Sequence, residues 1–332
     1  MNCFFTIDTG TTNTRIYLLD ARGNVCDTFR ADVGVRATAE DGNPDRLTAA
    51  LRTGIRVLRE RHSIGRADIC RILASGMITS DMGIFEVPHL TAPAGIADFR
   101  KAAKTVLLPE ICEVPITFLP GLKNRTAAVD WNHFEEMDMM RGEETEAFAI
   151  LEDLPFRGEC LLVLPGSHTK FVSIGEGKKI LGCLTTLSGE LLDVVTHHTL
   201  LADSVEKKFV SSYEKAFVLA GYRTAKAVGL SRALFSARIL GQFAEKDANR
   251  LANYLLGAIL QSDVEALQKT SALPVHAQTP IFVAGKEPLK RAMIDVLRES
   301  GAFREAAGVS SPYESCLSAR GAYLILGEKN PV

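Results

Sequence analysis

The chain has 332 residues, 46% of them hydrophobic and 23% charged, and its formal net charge is −2 at neutral pH. The length predicts two domains of about 150 residues each, and the composition is typical of a soluble globular protein. The balanced charge argues against nucleic acid as a partner. Because no apolar run reaches the ~20 residues of a membrane helix and the N-terminus lacks a signal-peptide pattern, we expect a cytoplasmic protein with no membrane partner. The seven cysteines are scattered and form no C-x-x-C pair, which favours reduced thiols and argues against a zinc site.

The first predicted element pair is a hairpin of strands at residues 3–8 and 15–20. Its turn is rich in glycine and threonine, and turn N–H groups and hydroxyls of this kind can face phosphate oxygens. The acidic residue at the end of the first strand can hold a Mg²⁺ ion through water, since this hard cation prefers oxygen ligands. An ordinary hairpin with an Asp-Thr-Gly turn is the alternative interpretation. The candidate ligand-binding residues are Asp8, Gly10, Thr11 and Thr12.

The rest of the first half alternates strand and helix. The segment at 79–95 contains four turn formers and is predicted to be a functional loop. Residues 124–138 are polar and irregular. The predicted elements are a strand at 25–31, a helix at 44–60, a strand at 69–74, a helix at 98–107 and a strand at 116–119.

Gly142 separates these elements from a predicted helix that begins at Glu143. We place a domain boundary here, between residues 1–141 and 142–332. A carboxylate at this helix start can accept a proton from an attacking hydroxyl group. Complementing the helix dipole is the more common role of acidic residues in a first helical turn, and it is the alternative interpretation of Glu143 and Glu144.

The second half repeats the structural pattern of the first, with strands at 159–164, 169–174 and 179–187 around a second glycine-containing turn. Turn N–H groups here can also face phosphate, so the two hairpins can oppose each other across a cleft. A lysine in the returning strand could neutralise phosphate charge, although strand alternation can equally place it in solvent. A plain turn is again the alternative. The candidate residues are Gly166, Ser167, Thr169 and Lys170.

The remainder is predicted to be mainly helical. Ala284 and Gly285 close a strand at 281–284, and the N-terminus of the following helix is available to a nucleotide. The predicted helices lie at 188–201, 213–226, 230–241, 247–269, from 288 onward and at 315–326.

In the order of these motifs, the chain resembles the sugar-kinase, actin and heat-shock-chaperone superfamily of ATP-binding proteins. A closer resemblance, over nearly the whole chain, is to the 2-dehydro-3-deoxygalactonokinases. The blocks that carry it are Ser75-Gly76-Met77, Arg141-Gly142-Glu143-Glu144-Thr145, Pro165-Gly166-Ser167-His168-Thr169-Lys170, Ser188-Gly189-Glu190-Leu191 and Val283-Ala284-Gly285. The chain departs from that family's pattern at 124–138 and near the C-terminus.

The resemblance implies an α/β fold of two ribonuclease-H-like (actin-like ATPase) domains with a cleft between them. The N-terminal domain would carry the first phosphate hairpin and the sugar-acid side, and the C-terminal domain the second hairpin and the adenosine side. The implied activity is phosphorylation of the 6-hydroxyl of 2-dehydro-3-deoxy-D-galactonate by ATP and Mg²⁺, in galactonate breakdown. Sugar acid and ATP are the implied partners, and a homo-oligomer is compatible with the sequence.

The resemblance also implies residue roles. Glu143 would be the catalytic base, with Glu144 as the alternative, and Asp8 would hold hydrated Mg²⁺. Either Arg15 or Arg36 would pair with the substrate carboxylate. The residues implied on the sugar-acid side are Arg15, Arg36, Ser75, Gly76, Met77, Arg141 and Glu144.

Two other functions share parts of this pattern. Exopolyphosphatases of the same superfamily carry a Gly-Glu-Glu helix start, and their glutamate would activate water instead of a sugar hydroxyl. A non-enzymatic sugar-acid sensor on this fold usually adds a DNA-binding segment, which we do not expect because the first predicted strand begins by Cys3.

Overall fold

The computed structural model describes residues 2–156, 158–273 and 275–327. Groups of strands alternate with single helices or runs of helices along the chain. The strands are β1 (Cys3–Thr9), β2 (Thr14–Leu19), β3 (Val25–Ala31), β4 (Ile69–Gly76), β5 (Leu90–Thr91), β6 (Lys104–Val106), β7 (Ile116–Phe118), β8 (Leu122–Lys123), β9 (Met139–Met140), β10 (Cys160–Leu164), β11 (Thr169–Ile174), β12 (Ile180–Thr186), β13 (Ile281–Val283) and β14 (Ala306–Gly308).

The helices are longer and more continuous in the second half. No helix within the described ranges combines the length and apolar character needed to cross a membrane. The helices are α1 (Val35–Asp41), α2 (Asp45–Arg61), α3 (Ile96–Ala102), α4 (Glu143–Asp153), α5 (Ser188–His198), α6 (Lys215–Val228), α7 (Leu230–Phe243), α8 (Ala248–Lys269), α9 (Leu289–Ser300) and α10 (Leu317–Leu326).

Two sheets have the same internal order. The first runs β3–β2–β1–β4–β7–β6 and the second β12–β11–β10–β13–β14. In each, an antiparallel hairpin adjoins a central strand that pairs in parallel with a strand from later in the chain. β1 and β10 are almost entirely buried, which explains why their sequences are continuous apolar runs instead of alternating ones. The predicted α/β fold class, with one such sheet in each half, is confirmed.

Two helices lie between the sheets. α4 and α10 contribute to the central apolar cluster that also includes residues from both sheets, such as Leu73 and Leu162. An ideal Cβ on Gly321 of α10 would lie 1.8 Å from the carbonyl oxygen of Thr145 in α4. The two helix backbones are therefore in direct contact, and only glycine permits this approach.

α10 also packs against the first sheet. Ala319 and Tyr323 of this helix form one apolar cluster with Phe4, Tyr17 and Leu19. An element from beyond residue 142 thus covers strands from before it. The domain division at residue 141 stays a prediction.

Some elements differ from the sequence-based expectations. The helix expected at 98–107 ends at Ala102 because the chain then forms β6, which pairs with β7. The helix α1, the strand β14 and the small sheet β5–β8–β9 were not expected. β14 has the sequence Ala-Ala-Gly, which carries no β-branched or aromatic signal for a strand.

Candidate active site

A cleft of about 700 Å³ lies between the two sheets, and the turns of both hairpins line it. Most of the candidate residues from the sequence meet here. Those in the lining are Asp8, Gly10, Thr11, Thr12, Arg15, Gly76, Met77, Arg141, Glu143, Gly166, Ser167, Lys170, Ala284 and Gly285.

The turn of the first hairpin is held from behind by α1. The Gly10 N–H donates to the Asn13 carbonyl at 2.8 Å and closes the turn. The N–H groups of Val35 and Arg36 donate to the carbonyls of the turn, the latter at 2.9 Å from the Thr11 oxygen. An ideal Cβ on Gly34 would lie 2.5 Å from turn backbone atoms. A glycine is therefore required where α1 begins, because any side chain would displace the turn.

The second hairpin is supported in the same way by α5. The Glu190 N–H donates to the Ser167 carbonyl at 3.0 Å, and the Glu190 carboxylate pairs with His168 at 2.9 Å. An ideal Cβ on Gly189 would lie 2.1 Å from the Gly166 carbonyl oxygen. The two turns are thus rigid loops of similar construction, with N–H groups available to an anion.

The Asp8 carboxylate lies at the end of β1 in the cleft. Its Oδ2 accepts a hydrogen bond from the Ser318 hydroxyl at 3.0 Å and lies 3.4 Å from the Arg15 guanidinium. Burial raises the pKa of Asp8 against the opposing effect of Arg15. A partly desolvated carboxylate with one weak cationic partner is suited to a hydrated divalent cation.

Glu146 is a cleft residue that the sequence analysis missed. Burial, and then the charges of Asp8 and Glu143, raise its pKa to about 8. A cation between Asp8 and Glu146 would relieve their repulsion, so these two oxygen-donor residues fit Mg²⁺ chemically. The available signal was spacing, because Glu146 follows Glu143 by three positions and so shares its helix face.

The two glutamates at the start of α4 have different surroundings. Glu143 lines the cleft, and its Oε2 accepts the Arg141 N–H at 3.1 Å. Glu144 is buried, and both its oxygens accept the Gly142 N–H, at 2.9 and 2.8 Å. Burial raises the pKa of Glu144 to about 8, with Glu143 adding to the effect. Glu143 is the carboxylate that a bound hydroxyl group could reach.

Lys170 is a mostly buried residue of the cleft lining. Its ammonium donates to the Met139 carbonyl at 2.9 Å and to the Thr185 hydroxyl at 2.7 Å. Asp138 in turn accepts a hydrogen bond from Thr185 at 2.8 Å. The lysine therefore ties the second hairpin to the segment that leads into α4.

Arg141 anchors the loop after β4. Its guanidinium donates to the carbonyl and hydroxyl of Thr79, at 2.5 and 2.6 Å, and to the Val87 carbonyl at 3.1 Å. It also contacts His89 Nδ1 at 3.1 Å. Burial and the Arg141 charge lower the pKa of His89 to about 4, so a neutral imidazole accepts this bond. The segment expected to be a functional loop lines the cleft through Ser80, Asp81, Glu86 and His89.

Four candidate residues are not in the cleft lining. Ser75 is 1% exposed within β4, and Glu144 caps its own helix. The Thr169 hydroxyl is buried against the Ser188 hydroxyl at 2.7 Å. Arg36, in the first turn of α1, borders a different cavity.

That second cavity has a volume of about 580 Å³ and adjoins the second hairpin. It shares two residues of that turn with the cleft and has both apolar and charged walls. Its lining residues are Arg36, Gly166, Ser167, Gly189, Glu190, Leu192, Asp193, Val194, Thr196, His197, Phe209 and Leu289.

Comparisons with known proteins agree with this architecture. The 2-keto-3-deoxy-galactonokinase family model matches residues 8–315. The "Probable 2-dehydro-3-deoxygalactonokinase DgoK1" of Rhizobium meliloti (strain 1021) is 29% identical over 259 residues, which cover 76% of this chain and 77% of that protein. The crystal structure of a "putative 2-dehydro-3-deoxygalactonokinase protein" from Sinorhizobium meliloti is similar with a TM-score of 0.73 and 23% identity, covering 97% of each chain. This last similarity shows the shared fold.

Proposed function

Because the chain belongs to the 2-keto-3-deoxy-galactonokinase family, we propose that it transfers the γ-phosphoryl group of ATP to the 6-hydroxyl of 2-dehydro-3-deoxy-D-galactonate. The observation that carries the proposal is one cleft that brings together two glycine-backed turns and a carboxylate at a helix start. Phosphoryl transfer requires mainly positioning and charge stabilisation. The biological setting we propose is galactonate breakdown in the cytoplasm.

The nucleotide would lie along the second half of the chain. Its phosphates would accept hydrogen bonds from the N–H groups of both turns, and Gly285 leaves room for them beside the Pro165 carbonyl. The nucleoside would occupy the second cavity, where Phe209 and Leu289 supply apolar contacts and Asp193 an acceptor. Asp8 and Glu146 would hold hydrated Mg²⁺, which supplies neutralising charge to the phosphates when bound.

The sugar acid would lie between Glu143 and the loop that Arg141 anchors. Glu143 would accept the proton of the 6-hydroxyl while that oxygen forms a bond to the γ-phosphorus. The bond from the γ-phosphorus to the bridging oxygen breaks, and ADP leaves with the electron pair. Arg15, whose side chain is 45% exposed and whose contact with Asp8 is long at 3.4 Å, remains available to the substrate carboxylate.

A coupled ADP-release assay over a panel of sugars tests the proposal. The panel contains 2-keto-3-deoxy sugar acids, aldonic acids, glucose and galactose, each with Mg²⁺ or with EDTA. We expect ADP formation to require both Mg²⁺ and a 2-keto-3-deoxy acid, because a neutral sugar lacks the carboxylate that would pair with the Arg15 guanidinium.

Two outcomes would contradict the proposal in different ways. Turnover of glucose or galactose as fast as the acid would refute the substrate class. Phosphate release without any sugar acid, at a rate that the acid does not change, would indicate hydrolysis by a glutamate-activated water.

A further inference from the structure

We propose that Arg36 binds the polyphosphate of the nucleotide and does not bind the sugar acid. The binding place is the second cavity, beside the second hairpin. This inference rests on the proposed function, because it takes a nucleoside triphosphate as the phosphoryl donor. It removes Arg36 from the sugar-acid carboxylate, for which the resemblance offered either Arg15 or Arg36.

The backbone of Arg36 is fixed to the first hairpin. Its N–H donates to the Thr11 carbonyl at 2.9 Å, and the neighbouring Val35 N–H donates to the Gly10 carbonyl at 3.2 Å. The missing side chain at Gly34 allows α1 to begin against this turn, with an ideal Cβ only 2.5 Å from its backbone. The Cα atom of Arg36 is therefore held at a fixed position relative to the first turn.

The side chain itself borders the second hairpin. Arg36 lines the 580 Å³ cavity together with Gly166 and Ser167, which also line the main cleft. Arg36, whose backbone is bonded to the first turn, thus lines the cavity beside the second turn. A polyphosphate held by both turns would pass within the space that this side chain borders.

The charges in this region leave Arg36 available. It is exposed, and within the described part of the chain its guanidinium has no hydrogen bond or ion pair. The acids on the same cavity have other partners, since Glu190 pairs with His168 at 2.9 Å and Asp193 with His197 at 3.0 Å.

Two cations of the main cleft, by contrast, are engaged, because Arg141 and Lys170 donate to carbonyl and hydroxyl oxygens. A third, Arg15, lies beside Asp8 and is the arginine assigned above to the sugar acid. A guanidinium without a partner presents paired N–H donors that match two phosphate oxygens. Glu143 lines the main cleft and Arg36 does not, which separates Arg36 from the proposed site of the hydroxyl acceptor.

The test compares nucleotide and sugar-acid binding in the variants Arg36→Ala and Arg36→Lys. The matched control is Arg56→Ala, because Arg56 is also an exposed helical arginine but pairs with Glu60 at 3.1 Å and lines a separate cavity. Calorimetry with Mg²⁺ gives the Kd of a non-hydrolysable ATP analogue and of adenosine, and steady-state kinetics give the KM of the sugar acid. Circular dichroism melting verifies that each variant is folded.

We expect Arg36→Ala to weaken binding of the ATP analogue roughly 10- to 100-fold, as for loss of a charge-assisted hydrogen bond. Adenosine affinity and the KM of the sugar acid should stay within about twofold of the wild-type values. Arg36→Lys should retain part of the affinity for the ATP analogue, because an ammonium keeps the positive charge but lacks the paired N–H donors of the guanidinium. Unchanged analogue affinity in Arg36→Ala, or a rise confined to the KM of the sugar acid, would overturn the inference. A wild-type protein that binds no nucleotide would instead overturn the proposed function itself.

Discussion

The ammonium of Lys170 lies 4.0 Å from a carboxylate oxygen of Glu143. The two side chains line the cleft from different elements, Lys170 from β11 and Glu143 from the first turn of α4. Lys170 is only 6% exposed, so this contact is poorly screened by solvent. The side chain of Lys170 thus connects the second hairpin to Glu143, the proposed base.

Replacing Lys170 by methionine should therefore reduce kcat more than nucleotide affinity. The Met139 carbonyl and the Thr185 hydroxyl would lose a charged donor, and Glu143 would lose the cation that lies 4.0 Å from its carboxylate. We expect kcat to fall roughly tenfold to a hundredfold and the Kd of an ATP analogue to change less than about threefold. Lys179→Met, at an exposed lysine just before β12 and away from the cleft lining, is the control. An equal loss of nucleotide affinity would show that Lys170 acts on the phosphates.

Glu143→Gln should remove the proposed base while leaving the fold intact. General-base contributions are typically ~10²–10⁴-fold, so we expect kcat to fall by that range with little change in ATP affinity. Glu144→Gln should act mainly on stability, because Glu144 is buried and accepts the Gly142 N–H with both oxygens. Parallel measurements of kcat and melting temperature separate the two roles. A dead Glu144→Gln enzyme with normal melting would transfer the base assignment to Glu144.

Gly34→Ala should distort the first phosphate turn. The new Cβ would lie 2.5 Å from backbone atoms of Gly10 and Thr11, and backbone cannot yield as a side chain can. We expect a higher KM for ATP together with a lower melting temperature. Gly241→Ala, inside α7, is the control. The nearest atom to its Cβ would be the flexible end of the Leu251 side chain, at 3.2 Å. Normal ATP kinetics in Gly34→Ala would show that the turn tolerates displacement.

Glu146 should make stability depend on pH when no divalent cation is present. Its pKa of about 8 lies above the ordinary value of 4.5, so the folded protein binds more protons than the unfolded chain between these values. Stability should accordingly fall as pH rises from about 5 to 8. Glu146→Gln should melt at a higher temperature than the wild type at pH 8 in EDTA, and the gap should close near pH 5. Melting curves that stay parallel across this range would contradict the assignment.

The parts of the site that sequence could predict are those with local signals. The two turns follow from apolar strands interrupted by glycine and hydroxyl residues, and Glu143 from a glycine before an acidic helix start. These features depend on a few adjacent residues, and the structure brings them to one cleft. Their roles in binding and catalysis stay predictions.

The parts that sequence could not predict depend on contacts across the fold. Ser75 and Thr169 are polar and close to glycine turns, yet sheet packing buries both. The hydrogen bond from Ser318 to Asp8 joins residues 310 positions apart, and no local pattern encodes it. Arg36 was expected near the sugar acid because arginine suits a carboxylate, but it lies in the first turn of α1 and borders the other cavity.

The contact between Ser318 and Asp8 also has a consequence for protein synthesis. Asp8 is made 310 residues before its partner, which at about 5–20 residues per second is a delay of roughly 15–60 s. Throughout that time α10 is absent, so the faces of Phe4, Tyr17 and Leu19 that it covers remain open on the nascent chain. A ribosome-bound chain can thus contain every strand of the first sheet and still lack Ser318, so its site is unfinished and its apolar strip uncovered until α10 is made.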